Sequence, residues 1–229
     1  MSQADIIALA LSYLYAFALL LTFEGLGKLF KWQAFFTRKL IHIGAGMWVW
    51  GVVLLFDHWY IGVIPFATFI VLNYVFHKRR LFSQMDADDQ TLGTVYFAFS
   101  ITMLFLLFWR QKPVVDFLPI AVAAAMSMTW GDAMAALIGR YFGKRKFTLR
   151  RHTRSVEGSA AFVLFSFVAI VLSLFFADLY SSVSPSIGHC VLMAAAASFA
   201  AMIAEAVSPR GTDNLSVPLV VAVVLLVMW

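Results

Sequence analysis

Four acids stand in or beside strongly apolar stretches of this chain: Asp132, Glu157, Glu205 and Asp213. Asp132 opens the segment "WGDAMAALIGRYFGKRKFTLRRHTRSVEG", in which Arg140, Lys144, Arg145, Lys146, Arg150, Arg151 and Arg154 place seven cations in fifteen residues. An acid at membrane depth costs about 2.5–3.5 kcal/mol on insertion scales, so it is normally paired or functional. Asp132, Ala135 and Gly139 follow i, i+3, i+7 spacing and share one helix face, an acid beside two small residues. A basic loop bounded by Asp132 and Glu157 has the parts to hold a polyphosphate through its cations and Mg²⁺ through its carboxylates. Phosphoryl transfer asks little more of a protein than positioning and positive charge. Gly143 and Gly158 would let backbone amides approach an anion. The alternatives are an ion pair between Asp132 and a loop arginine, and a loop that is basic only because it faces inward. "GRYFGKRK" has three residues between its glycines and no Ser or Thr after the lysine, and no GxGxxG occurs, so neither familiar nucleotide loop is present.

Two further stretches repeat the theme. In "AEAVSPRGTDNLSVP", Glu205 ends one apolar run while Thr212, Asp213 and Asn214 start the next, with Pro209 and Gly211 breaking the helix between them. Thr212 or Asp213 can serve as a helix cap, and an acid there can do both jobs. In "TRKLIHIGAG", Arg38 and His42 are four residues apart with Lys39 on the adjoining line. His42 is either a hydrogen-bonded packing residue or a contact to a substrate hydroxyl or phosphate, and Glu24 is a weaker candidate of the same sort. Asp86, Asp88 and Asp89 read as a solvated charge run. Asp57, His58, Asp116, Asp178 and His189 lie at span ends and are assigned no function.

The elements that must position these groups follow from composition. Of 229 residues, 62% are hydrophobic and 13% charged, where a soluble domain carries roughly 25% charged. Apolar windows near 5–23, 40–56, 59–76, 91–109, 114–139, 159–178, 189–207 and 215–229 predict eight membrane-spanning helices. The alternating pattern of a β-barrel is absent. The fold class is therefore all-α, a polytopic helical membrane bundle forming a single domain over 1–229. The first run lacks a basic leader and is read as a retained span rather than a signal peptide. With the N-terminus outside, fifteen Lys and Arg fall in inward loops against two, Arg110 and Lys112, in outward ones. Both termini are then outside and the acid-rich face is cytoplasmic, on the plasma membrane if the source is prokaryotic. The net charge of +5 follows from this bias and calls for no nucleic-acid partner. The single cysteine, Cys190, excludes an intrachain disulfide and a cysteine metal cluster.

With these residues in view the chain resembles the CTP-dependent polyprenol kinases, a family that includes phytol, dolichol and CTP-dependent diacylglycerol kinases, within a wider group with the phosphatidate cytidylyltransferases. Asp132, Ala135 and Gly139 match its DxxAxxxG element. "RSVEGS" is similar to its K-[ST]-x-E-G-[ST] element with Arg154 in place of lysine, "TDNLSVP" to its closing D-N element, and "RKLIHIGAG" to its R-K-x-x-H element. The resemblance implies transfer of the γ-phosphate of CTP to a lipid alcohol such as phytol, geranylgeraniol or a polyprenol. It implies Asp132 and Asp213 as Mg²⁺ ligands. Lys144, Lys146, Arg150, Arg151 and Arg154 would neutralise phosphate, with Gly139, Ser155, Glu157, Gly158 and Asn214 completing the nucleotide site. Arg38, Lys39 and His42 would meet the alcohol, and Glu205 or Asp132 would accept its proton. A cytidylyl transfer is the alternative enzyme reading, though the glycine pair and D-R-x-D ending of those enzymes are missing. A transporter or scramblase is the non-enzymatic one, disfavoured because no half of the chain repeats the other.

Overall fold

The computed structural model describes residues 1–82, 92–109, 116–149, 152–209 and 211–229. Eight α-helices appear among them: α1 Gln3–Leu29, α2 Ala34–Leu55, α3 Trp59–Arg79, α4 Gly93–Phe108, α5 Leu118–Phe142, α6 Val156–Phe175, α7 Ile187–Val207 and α8 Asp213–Met228. Between α5 and α6 lies an antiparallel hairpin, β1 Lys146–Leu149 with β2 His152–Ser155. Six of the helices are long and apolar enough to cross a membrane. The other two, α4 and α8, have 16 residues each, about 24 Å at 1.5 Å per residue.

The all-α membrane bundle expected from hydropathy is what forms, with its element ends moved. Hydropathy windows stop at the first charge, whereas helices run on into the polar boundary. Thus α1 extends past Glu24 and Lys28, and α2 begins before Arg38 and Lys39, which makes all four helical rather than loop residues. Helix α6 starts at Val156 because Ser155 caps it, its Oγ accepting from the Gly158 N–H at 3.0 Å. Glu157 and Gly158 therefore belong to a first helical turn. The basic segment is not an open loop either, since Lys146 pairs with Ser155 and Thr148 with Thr153 across the hairpin.

Helix α5 is the axis of the molecule. Every residue from Leu118 to Thr129 is buried, and the helix packs against α2, α4, α6 and α8. Such burial in a bilayer demands close helix approach, which small residues permit. At the α5–α6 crossing Gly139, Gly143 and Gly158 surround Ser155, and a Cβ on Gly158 would lie 2.9 Å from the Ala135 carbonyl oxygen. At the α2–α5 crossing a Cβ on Gly46 would collide with the Thr129 side chain. Gly46→Val is accordingly expected to destabilise the protein by about 1–3 kcal/mol through overpacking. Thermal denaturation in detergent measures it, and Thr129→Ala in the same chain should recover part of the loss.

At the end opposite the basic segments, Asp5 has no exposed surface. It accepts from the backbone of Ser2, Asp57 and His58 and contacts His58 Nδ1 at 2.7 Å, tying the start of α1 to the α2–α3 turn. Asp116 likewise accepts from Leu118 N–H and Ser181 Oγ.

Candidate active site

A cavity of about 800 Å³ opens at the basic end and runs into the bundle. Its polar end collects residues remote in sequence. Arg38, Lys39 and His42 come from α2, Asp132 and Gly139 from α5, and Lys146, Arg154 and Ser155 from the hairpin. Gly158 comes from α6, Glu205 from α7, and Asp213 and Asn214 from α8. Its other end is apolar, walled by α1 to α4 through residues such as Tyr15, Leu19, Trp48, Phe66 and Ile101.

The acids are each engaged. Lys39 Nζ donates to Asp132 Oδ2 at 2.6 Å, with the two side chains only 10% and 13% exposed. The alternative foreseen for Asp132, an ion pair, is thus real, but its partner is a helical lysine of α2 rather than a loop arginine. His42 Nε2 lies 3.6 Å from the same oxygen, its ring packed on Phe97 with centroids 4.4 Å apart. Glu205 forms an ion pair with Arg154, whose Nη2 also donates to the Ser208 carbonyl at 3.3 Å. Burial lowers the pKa of Arg154, while Asp213 and Asp132 act in the opposite direction; a guanidinium so placed remains a cation. Asp213 lies within electrostatic reach of Asp132, Lys39 and Arg154. The two acids expected to hold a metal therefore face one cavity at one end of the bundle.

Asn214 supplies a feature of its own. Its Nδ2 donates to the Gly93 carbonyl at 2.9 Å, which fixes the amide's orientation, and its buried Oδ1 has no hydrogen-bond partner. An orphaned buried acceptor costs about 1–3 kcal/mol; Asn214 follows Asp213 in the chain, and both residues line the cavity. Among the described residues no three His, Cys, Asp or Glu side chains group as a metal cage. The Asp213 carboxylate and the Asn214 amide oxygen are nevertheless hard-oxygen groups of the kind that suits Mg²⁺, a cation that completes its shell with phosphate oxygens and water.

Three helices begin at this cavity. Gly93 and Thr94 of α4, Ser155 and Gly158 at the start of α6, and Asp213 and Asn214 of α8 all line it. Each helix start carries roughly half a positive charge, so the site attracts anions through its backbone as well as its side chains. Two of the three, α4 and α8, are the 16-residue helices. Asn214 ties both starts together, because its own carbonyl also accepts from Ser100 Oγ.

Some sequence-selected residues stand elsewhere. Glu157 turns away from the cavity and accepts from the backbone N–H groups of Lys144 and Arg145 at 3.1–3.3 Å, so it holds the turn between α5 and β1. Lys144 is exposed and does not line the cavity. The Gly158 amide, expected to approach an anion, is already used by Ser155. Glu24 is paired with Lys28 at 2.9 Å and is not part of the cavity wall. Arg150, Arg151, Arg110, Lys112, Arg210 and the run Asp86, Asp88 and Asp89 lie outside the described residues. Conversely, Asn73 and His77 of α3, with Arg140 and Thr153, line the site without having been selected. The i, i+4 spacing of Asn73 and His77 at the basic end of α3 was the available signal.

Comparison with known proteins gives a consistent account. The chain is similar to the phytol kinase of Synechocystis sp., with 33% identity over 222 residues covering 93% of this chain and 88% of that protein. It is also similar to the chloroplastic farnesol kinase of Arabidopsis thaliana, with 26% identity over 232 residues covering 94% and 73% of the two chains. No family model and no solved structure matches. At this identity over nearly its whole length, the chain belongs to the phytol and polyprenol kinase family.

Proposed function

We propose that this protein is a membrane prenol kinase that moves the γ-phosphate of CTP to the hydroxyl of a prenol, releasing prenyl phosphate and CDP. The observation that carries the reading is a continuous cavity, charged and anion-attracting at one end and apolar between α1 and α4 at the other. A prenol can lie with its tail among helices and its hydroxyl at the acids, without being extracted into water. The names of the relatives in Synechocystis and Arabidopsis support a prenol as acceptor. CTP as donor rests on the likeness of the four sequence elements to CTP-dependent kinases. The excess of Lys and Arg at the acid-bearing end supports a cytoplasmic nucleotide side.

The chemistry divides among the residues as follows. Asp132 already carries a cation on Oδ2, so a second cation goes to Asp213 and the free Asn214 Oδ1. Mg²⁺ held there would neutralise charge on the triphosphate and orient it. Arg38, Lys146 and Arg154 line the path of the phosphates and stabilise the negative charge that gathers during transfer. The prenol oxygen attacks the γ-phosphorus, the bond from that phosphorus to the bridging oxygen of CDP breaks, and CDP departs. Asp132 Oδ1 takes the hydroxyl proton. Glu205, held by Arg154, is the poorer acceptor, and His42 places the hydroxyl at the boundary between the two halves of the cavity.

The test uses purified protein with labelled CTP, Mg²⁺ and a panel of prenols. Prenyl phosphate with CDP as coproduct supports the reading; pyrophosphate release, or no prenol phosphorylated, overturns it. A separate prediction concerns the metal. Asp213→Asn should raise the Mg²⁺ concentration for half-maximal rate by about 10–100-fold, whereas Asp132→Asn should leave that concentration nearly unchanged. The reverse pattern would exchange the roles of the two acids.

A further inference from the structure

The apolar half of the cavity has a definite end. Along α2 its wall runs through His42, Ala45 and Trp48 on one helix face. Trp48 lies six residues beyond His42, about 9 Å deeper. Above it Val49 and Val52 have no exposed surface, and the bundle is solid. On α1, which runs the opposite way, the deepest wall residues are Tyr15 and Ser12.

The residues at this end are fixed more firmly than a simple apolar wall requires. The rings of Tyr15 and Trp48 stack with centroids 4.4 Å apart and planes at 18°. Trp48 Nε1 donates to Ser12 Oγ at 3.0 Å, and Ser12 Oγ donates onward to the Ala8 carbonyl at 2.7 Å. Tyr15 donates its hydroxyl to the Gly44 carbonyl at 2.8 Å. The indole also lies over Gly51, where a Cβ would come within 2.8 Å of the ring. Two helices thus clamp one aromatic pair through reciprocal hydrogen bonds, and each polar atom of the pair is used within the clamp. Rings held in this way cannot swing aside cheaply to admit more hydrocarbon, because swinging breaks a part-buried hydrogen bond as well as the stack.

We propose that the Tyr15–Trp48 pair is the terminus of the tail channel and sets the longest prenol that the enzyme phosphorylates efficiently. The inference rests on the prenol kinase reading and goes beyond it by naming what limits the acceptor's length. A tail short enough to end below the rings is bound along its whole length. A longer one must fold back or leave its last units outside the cavity, and each methylene mismatched in an apolar pocket changes kcat/KM by about 10–200-fold.

Two substitutions of opposite sign test it. Trp48→Ala removes the terminus and should raise the ratio of kcat/KM for a long polyprenol over that for farnesol by at least about tenfold. Ala45→Phe, one turn nearer the acids, raises the floor and should shift the farnesol-to-geraniol ratio toward geraniol by a similar factor. General loss of stability lowers all rates together and cannot move the two ratios in opposite directions, so either variant alone remains informative if the other fails to fold. If the wild type phosphorylates the panel but both variants keep its length preference, the terminus assignment is wrong while the kinase reading stands. If the wild type phosphorylates no prenol, the reading falls and takes the inference with it.

Discussion

Asp132→Asn should lower kcat for prenol phosphorylation by about 10²–10⁴-fold, the usual worth of a positioned proton acceptor, with little change in KM for either substrate. The asparagine keeps the size and one acceptor oxygen but cannot take the proton. Structural damage is the competing explanation, because Lys39 Nζ lies 2.6 Å from Asp132 Oδ2 in a site where both side chains are nearly buried. Neutralising the acid leaves an uncompensated ammonium, and breaking such a pair costs about 3–5 kcal/mol. The two effects separate in the double variant Lys39→Met with Asp132→Asn. Removing both charges should return thermal stability toward wild type while leaving kcat as low as in the single variant. Recovery of kcat along with stability would make Asp132 a structural anchor for α2 and remove it from the chemistry. A single variant within tenfold of the wild-type rate would do the same.

The sequence announces this site because charges in so apolar a chain are scarce and cannot be scattered without cost. Four stretches far apart in the chain, around Lys39, Asp132, Arg154 and Asp213, were legible as one face. The structure brings all four to one cavity. What was not legible depends on direction rather than presence. Glu157 and Gly158 are adjacent, yet successive helical residues point about 100° apart, so Gly158 lines the cavity while Glu157 faces the turn it braces. The hairpin strands have four residues each, too few for a period-two pattern to stand out. The helix start at Val156 escaped because hydropathy marks apolar length and says nothing of a cap such as Ser155. The Tyr15–Trp48 clamp was invisible for another reason. Aromatic residues are common on the α1 and α2 faces, and only packing distinguishes a clamped pair from ordinary filler.

Arg154→Met should destabilise the protein by about 3–5 kcal/mol and raise KM for the nucleotide, because the guanidinium serves two elements at once. It closes an ion pair with Glu205 at the end of α7, donates to the Ser208 carbonyl, and presents its remaining charge toward Asp213 across the cavity. Its loss strands a carboxylate whose side chain is only 9% exposed. It also unties β2 from the α7–α8 corner that carries Asp213. Glu205→Gln should show the stability loss without an equal loss in nucleotide affinity, since the cation remains. The pair Arg154→Met with Glu205→Gln should therefore be more stable than Arg154→Met alone yet no better at binding nucleotide. Arg154→Lys gives the sharpest reading, because the family element has lysine at this position. Lysine keeps the charge but not the planar fork, so KM should stay near wild type while the bond to the Ser208 carbonyl is lost. If Arg154→Lys raises KM as much as Arg154→Met does, the geometry of the fork and not its charge governs the nucleotide.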